Sequence, residues 1–162
     1  MQTKCKHGSS LIEVIIAIAV VSLVMTAVAA VISISLQNTS RAQAKVIGTK
    51  HTQEGIEYFR AQRTLMGWES FLSAFQNGNV STVYCLASLP STTVGGLEQL
   101  PNRPCGVTEF ADVRNLYKRE ADVTLGTVAG QQTVTITVRM VWPDGMQSVR
   151  SSATVQLQKS QN

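Results

Sequence analysis

The chain has 162 residues and a formal net charge of +4, and 15% of its residues are charged. That length suffices for one modest domain once a membrane-length apolar segment is set aside. Two of the positive charges, Lys4 and Lys6, precede that segment, so removing them from the net charge of +4 leaves +2 for the remaining side chains. A balance this mild does not predict nucleic-acid binding, which a clustered basic face would favour.

The apolar segment is long enough to cross a membrane. No charged residue occurs from Val14 to Ser40, a run of 27 residues, and a helix rising ~1.5 Å per residue crosses a ~30 Å hydrocarbon layer in about 20 residues. The basic stub at Lys4 and Lys6 lies on the side that positive-inside bias keeps in the cytoplasm. Directly before the run stands Glu13. Because a carboxylate near hydrocarbon is costly, Glu13 is predicted to have a functional partner.

The stretch Lys4-Cys-Lys-His-Gly-Ser-Ser-Leu-Ile-Glu13, with the apolar tail that follows it, resembles the class III leader of type IV prepilins and of the pseudopilins of type II secretion and DNA-uptake machines. In that family a membrane-embedded prepilin peptidase cuts after the last Gly of the leader. The new first residue is N-methylated, and the fifth mature residue is Glu. The resemblance implies cleavage between Gly8 and Ser9, N-methylation of Ser9, and Glu13 as the fifth mature residue. The chain departs from the family at Ser9, where Phe or Met is usual.

The resemblance also implies what Glu13 does. In a bundle of such helices, its carboxylate would pair with the cleaved N-terminal ammonium of Ser9 on a neighbouring subunit, because each charge is expensive alone in lipid and tolerable when paired. A glutamate that snorkels to the membrane interface is the structural alternative. A conventional export signal cut near Ala27–Ala30 is a further alternative, but it leaves Glu13 unexplained.

One long helix is predicted from Ser9 to about Arg63. The four prolines all lie beyond it, at positions 90, 101, 104 and 143, and an anchor without proline is more typical of the family's minor pilins and pseudopilins. Past Arg41 the helix turns polar, and four apolar residues are expected to face a globular head: Val46, Ile47, Ile56 and Phe59. Gly48 and Gly55 each cost about 1 kcal/mol in a helix interior, so bends or close packing are expected there. The predicted organisation is a leader at 1–8, a membrane and assembly helix at 9–40, and a head at 41–162.

Shorter elements are predicted in the middle of the chain. Gly67–Phe75 is predicted to be a short helix with an apolar stripe that packs in the core, formed by Trp68, Phe71, Leu72 and Phe75. Asn77–Asn79 is a turn signal. Val80–Leu86 is predicted to be a strand, and Ser88–Pro104, rich in Ser, Thr, Gly and Pro, a loop.

Two cysteines fall in the part of the chain predicted to be exported. In an oxidising compartment Cys85 and Cys105 are expected to form a disulfide, and a bridge closing a loop of about 20 residues contributes roughly 3 kcal/mol in the chain-entropy model. Two free thiols are the alternative. Zinc binding is not predicted, because the two histidines, His7 and His51, have no ligand spacing to a cysteine. Cys5 lies in the leader.

The last third of the chain has the clearest β pattern. Residues 133–142 alternate, which places five apolar side chains on one face: Val134, Ile136, Val138, Met140 and Trp142. The other face is polar, and this predicts a half-buried strand. Pro143–Gly145 and Ala129–Gly130 are predicted turns, and the segments around Ala121–Leu125 and Val149–Leu157 alternate as well. Three antiparallel strands are therefore expected to form a meander. The predicted fold class is α+β and pilin-like: a long N-terminal α-helix, its first half membrane-spanning, packed on a small antiparallel β-sheet.

Three functional classes compete for this chain. The resemblance implies a structural subunit of a type IV pilus-like or type II secretion pseudopilus filament. The alternative is a membrane-tethered adhesin or DNA-uptake binding module that uses the same leader. An anchored enzyme is not favoured, because His51 has no plausible partner in sequence and three acids are predicted to be solvated: Asp112, Glu120 and Asp122. No catalytic residue, metal or cofactor is predicted.

The resemblance further implies partners and a location. The expected partners are other pilin or pseudopilin subunits, prepilin peptidase, an inner-membrane assembly platform and membrane lipid; nucleic acid is a possible partner that no feature of the sequence supports. The basic residues that follow the apolar run are predicted to be a solvated helix face or headgroup contacts rather than a DNA-binding stripe: Arg41, Lys45, Lys50, Arg60 and Arg63. The expected location is the inner membrane, crossed once with the head outside the cytoplasm, and then a filament in the periplasm or at the cell surface.

Overall fold

The computed structural model describes residues 9–76, 81–90, 93, 95–112 and 114–159; the side chains of residues 9, 10 and 81 are not described. The helices are α1 (Ser9–Met66) and α2 (Trp68–Gln76), and the strands are β1 (Ser81–Cys85), β2 (Lys118–Val128), β3 (Gln131–Asp144) and β4 (Gln147–Gln158). The leader with Gly8, and the turn predicted at Asn77–Asn79, lie outside the described residues. The predicted α+β class is confirmed. Two units form within the chain, Met1–Gln43 and Ala44–Asn162, and the second is called the head below.

The first unit is described as helix, with every side chain from Leu11 to Gln43 exposed in the isolated chain. Hydroxyl groups inside this apolar stretch bond to the helix itself: Ser22 Oγ donates to the Ile18 carbonyl at 2.7 Å, and Thr39 Oγ1 donates to the Ser35 carbonyl at 2.9 Å. These bonds satisfy polar atoms that would otherwise face lipid. Among the described residues, α1 is the helix long and apolar enough, by length and composition, to cross a membrane.

The part of α1 that belongs to the head is buried along one stripe. Gly48, Thr52, Ile56 and Phe59 are buried along it, and their spacing of three or four residues follows the helical period. The expectation that Val46 and Ile47 face the head is wrong, because both lie off this stripe and are 69% and 39% exposed.

The long helix stops at a glycine. Gly67 has φ +74°, and its N–H donates to the Arg63 carbonyl at 3.1 Å, as in a left-handed C-cap. The helix therefore continues three residues beyond the predicted end at Arg63. The short helix that follows, α2, buries Phe71, Leu72 and Phe75 as predicted.

The sheet has strand order β1-β2-β3-β4, and each pair is antiparallel. The predicted meander is present, and the strand predicted at Val80–Leu86, of which Val80 lies outside the described residues, joins it as a fourth member, β1. Ala129 and Gly130, with φ of 52° and 79°, form the two-residue turn between β2 and β3 that the twist of a hairpin favours. The five apolar residues predicted on one face of β3 are all at most 4% exposed.

The helix α1 packs closely against the sheet at its two glycines, Gly48 and Gly55. A Cβ added at Gly48 would lie 2.6 Å from Trp142 Cζ3, and one added at Gly55 would lie 3.0 Å from Val138 Cγ1. Close packing, rather than bending, therefore accounts for both glycines. The loop predicted at Ser88–Pro104 contains one 3₁₀ turn, Gly96–Gln99, which buries Leu97.

Candidate functional site

Glu13 stands near the start of α1 and is exposed. Within the described part of the chain, its carboxylate has no hydrogen-bond or ion-pair partner. Ser9, the residue with which it is expected to pair between subunits, begins the helix, while Gly8 lies outside the described residues. Glu13 therefore offers a carboxylate that this chain's described residues leave available to a group on another molecule.

The helix around Glu13 is apolar on all sides. Its large side chains are between half and three-quarters exposed, for example Leu11 at 68% and Leu23 at 70%. Small residues such as Ala17 and Ala19 alternate with them, and small residues let helices approach closely in lipid. Such a surface is stable only against hydrocarbon or other apolar helices.

Three of the basic residues beyond the apolar run contact acceptors of their own chain. Arg60 Nη1 donates to Glu57 Oε1 at 2.7 Å, and Lys50 Nζ lies 3.9 Å from Glu54 Oε1. Arg63 donates to the Gln158 carbonyl at 2.6 Å. These pairings support the solvated helix face predicted from the sequence and give no support to a DNA-binding stripe.

A disulfide joins Cys85 at the end of β1 to Cys105, with an S–S distance of 2.00 Å. Beside it, Arg103 makes two hydrogen bonds of 2.7 Å to Glu109. The hydrogen bonds from Arg103 and from the Gly106 N–H lower the pKa of Glu109 to about 2. The two sulfurs and Glu109 lie within 4.8 Å of one another, but sulfurs bonded to each other offer no thiolate to a metal ion.

The head buries one arginine. Arg119 is 3% exposed; its Nε donates to the Leu86 carbonyl at 3.1 Å, and its Nη1 donates to the His51 carbonyl at 3.0 Å. The same Nη1 lies 3.3 Å from Glu54 Oε2. Because these contacts join β2, α1 and the segment after β1, Arg119 fastens the helix to the sheet.

Electrostatics in this cluster follow from burial and pairing. Burial lowers the pKa of Arg119, and the negative charge of Glu54 raises it by less than burial lowers it. Burial alone would raise the pKa of Glu54, but its hydrogen bond with His51 and the neighbouring positive charges hold it below its usual value.

Sequence reasoning missed this cluster. The expectation that His51 has no plausible partner is wrong: its Nδ1 lies 2.9 Å from Glu54 Oε2, and its ring centroid lies 5.9 Å from that of Tyr117. The signal was the alternation of β2, because Arg119 shares the inward face with Ala121 and Val123. An arginine at an inward position of a strand predicts a buried acceptor.

The three acids predicted to be solvated have structural partners instead. Asp112 Oδ1 accepts the N–H groups of Leu116 and Tyr117 at 2.9 Å each. Glu120 accepts the Cys105 N–H at 2.9 Å, and Asp122 forms an ion pair with Arg139 across to β3. Each acid is used to hold a turn, a loop or a strand pair. These roles do not form a paired acid–base site among the described residues.

Comparison with known proteins identifies the N-terminal segment. Residues 3–29 match the family model of the prokaryotic N-terminal methylation motif. This match confirms the resemblance found in the leader. Together with the long apolar helix it is consistent with a type IV pilin or pseudopilin, and it implies processing by prepilin peptidase and assembly with other pilin subunits. No curated protein and no solved structure gives a significant match to the chain.

Proposed function

We propose that this chain, which carries the prokaryotic N-terminal methylation motif at residues 3–29, is a structural subunit of a type IV pilus-like or type II secretion pseudopilus filament. The observation that carries the proposal is the joint occurrence of that motif, an exposed apolar helix and an exposed Glu13 near its start. No catalytic role is assigned to the chain.

Assembly depends on a charge pair made between subunits. Cleavage after Gly8 frees the amine of Ser9, which is then N-methylated, and Glu13 of a neighbouring subunit accepts its positive charge. The pair sets the axial register between helices, while the apolar side chains around it supply the contact area. Leaving either charge alone in hydrocarbon is strongly unfavourable, so an unpaired subunit is rejected from the bundle.

The proposed location follows from the same segment. Before assembly the helix crosses the inner membrane once, with the head outside the cytoplasm, where the Cys85–Cys105 disulfide forms. An inner-membrane assembly platform then moves the subunit into a filament that lies in the periplasm or at the cell surface. The paired basic residues of the head favour this role over a DNA-uptake module that uses the same leader.

The test is incorporation of Glu13 variants into filaments. Glu13→Gln and Glu13→Ala are expected to fold and insert normally, yet to enter the filament fraction more than about tenfold less efficiently, because an uncompensated buried charge costs about 3–5 kcal/mol. The measurement is the ratio of subunit in sheared filaments to subunit in membranes, with the N-terminus determined by intact mass in the presence and absence of prepilin peptidase.

Two controls separate cleavage from pairing. Ser22→Ala removes a hydroxyl whose hydrogen bond, within the described part of the chain, is to its own helix, so incorporation should stay at the wild-type level. Gly8→Arg should keep the uncut mass and be excluded from filaments, because the amine of Ser9 is never freed. Normal incorporation of both Glu13 variants would refute the pairing role, and a wild-type chain that keeps its leader in the presence of the peptidase would refute the subunit assignment.

A further inference from the structure

One end of the head carries an open apolar groove of about 450 Å³. It lies between the loop before β2 and the turn that joins β3 to β4, and its apolar lining includes Phe110, Leu116, Pro143 and Met146. Met146 sits at the tip of the turn and is fully exposed, and Leu116 is 41% exposed. The described residues that line the groove include Lys118 but no acid. These five residues are called the hairpin-end surface below.

Two cations flank this groove on the outer face of the sheet. Lys118 on β2 pairs in register with Val141 on β3, and Val141 pairs with Arg150 on β4. Residues directly opposite each other point to the same face, so the Cα atoms of Lys118 and Arg150 lie about 10 Å apart across β3. Lys118 Nζ also lies 5.4 Å from the centre of the Phe110 ring. An exposed apolar turn with cations beside it is complementary to a surface that has an anionic outer layer and an apolar interior.

The hairpin-end surface belongs to the end of the head at which the chain enters it. Trp142, next to Pro143, packs on Gly48, and Tyr117, next to Leu116, donates its hydroxyl to the Ala44 carbonyl at 3.1 Å. Ala44 follows Leu36, the last apolar residue of the uncharged run, by eight residues of α1, which rise about 12 Å along the helix. The covalent chain therefore ties this end of the head to the point where the apolar run ends.

We propose that the hairpin-end surface docks on the anionic headgroup layer of the membrane that α1 crosses. Met146 and Pro143 enter the interface between headgroups and acyl chains, and Lys118 and Arg150 face lipid phosphates. This docking holds the head against the bilayer before the subunit leaves for a filament. The inference rests on the membrane span that is part of the proposed function.

Charge favours lipid over a second copy of the chain as the occupant. A docking surface with two cations needs unpaired anions opposite it. Of the nine acids of the head, two accept backbone N–H groups, Asp112 and Glu120, and five are paired with cations of their own chain: Glu54, Glu57, Glu69, Glu109 and Asp122. Anionic lipid supplies phosphates without breaking any of these pairs.

The test places an environment-sensitive fluorophore on the full-length chain in vesicles. In a Cys5→Ser background with the disulfide intact, Met146→Cys reports the hairpin-end surface. Val128→Cys is the matched control, since it is exposed at the other end of β2, about 33 Å along the strand from Lys118. Val31→Cys, within the apolar run, reports insertion. The vesicles contain phosphatidylcholine with or without phosphatidylglycerol, and nitroxide quenchers are attached either to headgroups or deep on acyl chains.

In vesicles with phosphatidylglycerol, the probe at position 146 should shift to the blue and be quenched by headgroup nitroxides, and the probe at 128 should not. Omitting phosphatidylglycerol or raising the salt concentration should weaken the quenching. Lys118→Gln combined with Arg150→Gln should lower the ratio of docked to undocked head roughly 25-fold, because each cation near an anionic surface contributes about fivefold. Amide hydrogen exchange of the sheet verifies that this variant is folded.

Three results would overturn the inference. Equal spectra at positions 146 and 128, with position 31 quenched by deep nitroxides, would reject the docking while leaving the span and the proposed function intact. A blue shift at 146 that grows with the protein-to-lipid ratio and ignores the lipid quenchers would mean that a second copy covers the surface. A probe at 31 that deep nitroxides do not quench would reject the span, and with it both the docking and the proposed function.

Discussion

Gly48 gives the most direct test of how α1 packs on the sheet. A methyl group at this position would lie 2.6, 2.9 and 3.1 Å from three carbons of the Trp142 ring, whereas carbon atoms in contact prefer about 3.5–4.0 Å. The ring cannot easily retreat, because Trp142 is 4% exposed and its ring centre lies 5.6 Å from that of Tyr117. Gly48→Ala should therefore force a shift of close to 1 Å in a packed core.

Two opposing effects set the size of the change in the free energy of unfolding. Overpacking costs about 1–3 kcal/mol, and replacing Gly by Ala in a helix interior gains about 1 kcal/mol. The net expectation is a loss of up to about 2 kcal/mol. In a Trp142→Phe background the outer ring carbons are absent, so the same Gly48→Ala change should instead stabilise the head by up to about 1 kcal/mol. The reversal of sign isolates the contact from the helix propensity.

The assay is guanidinium unfolding of the full chain in detergent, followed by the fluorescence of Trp68, which all four proteins of the double-mutant cycle retain. Gly55→Ala is the graded control, because its methyl group would lie 3.0 Å from Val138 and should cost less. If Gly48→Ala changes the unfolding free energy equally with Trp and with Phe at position 142, the ring contact is not the reason for the glycine.

Two further predictions concern polar groups of the head. Gln62 is fully buried, and both amide atoms lack a hydrogen-bond partner among the described residues. Gln62→Met should therefore raise the free energy of unfolding by about 1–3 kcal/mol. The measurement is the guanidinium midpoint, with Gln53→Met on the exposed face as the control, and a lower midpoint would show that the amide of Gln62 is satisfied. Glu109 has a folded-state pKa of about 2 against a usual 4.5, so its stabilising effect is present above pH 4.5 and is lost as the pH falls towards 2. In Arg103→Gln, the free energy of unfolding should fall less over this pH range. A pH profile of the unfolding free energy that equals the wild-type profile would contradict the role of the pair.

Local signals were sufficient to predict most of the fold. The absence of proline from Ser9 to Met66 allowed one uninterrupted helix, and the strict alternation from Val134 to Trp142 fixed which face of the central strand is buried. The Ala129–Gly130 turn could be predicted because few residue pairs tolerate the two adjacent positive φ angles that a two-residue hairpin turn requires. The leader motif was identified from the sequence, and residues 3–29 match its family model. The proposed pairing of Ser9 with Glu13 between subunits stays a prediction, because one chain does not contain the bundle in which it would form.

Long-range packing could not be predicted in the same way. Val46 and Ile47 are apolar, but the direction of the buried stripe is decided by Gly48, whose missing side chain lets the sheet approach. The pairing of Arg119 with Glu54 joins residues 65 positions apart, and no local pattern connects them. The hairpin-end surface likewise depends on two loops brought together by the register of the sheet.

If the head is exported as proposed, the strand order has a consequence for how it folds. Each strand pairs with the next one along the chain, so the sheet can grow in the order in which residues leave the translocation channel. The aromatic residues of the helices, among them Phe59 and Phe71, emerge first, yet their core cluster is completed by residues of β3 such as Ile136 and Val138, and this strand ends only at Asp144. Until that strand emerges, this part of the core is exposed to solvent, and the head folds correctly only if β3 pairs before the exposed apolar surface aggregates.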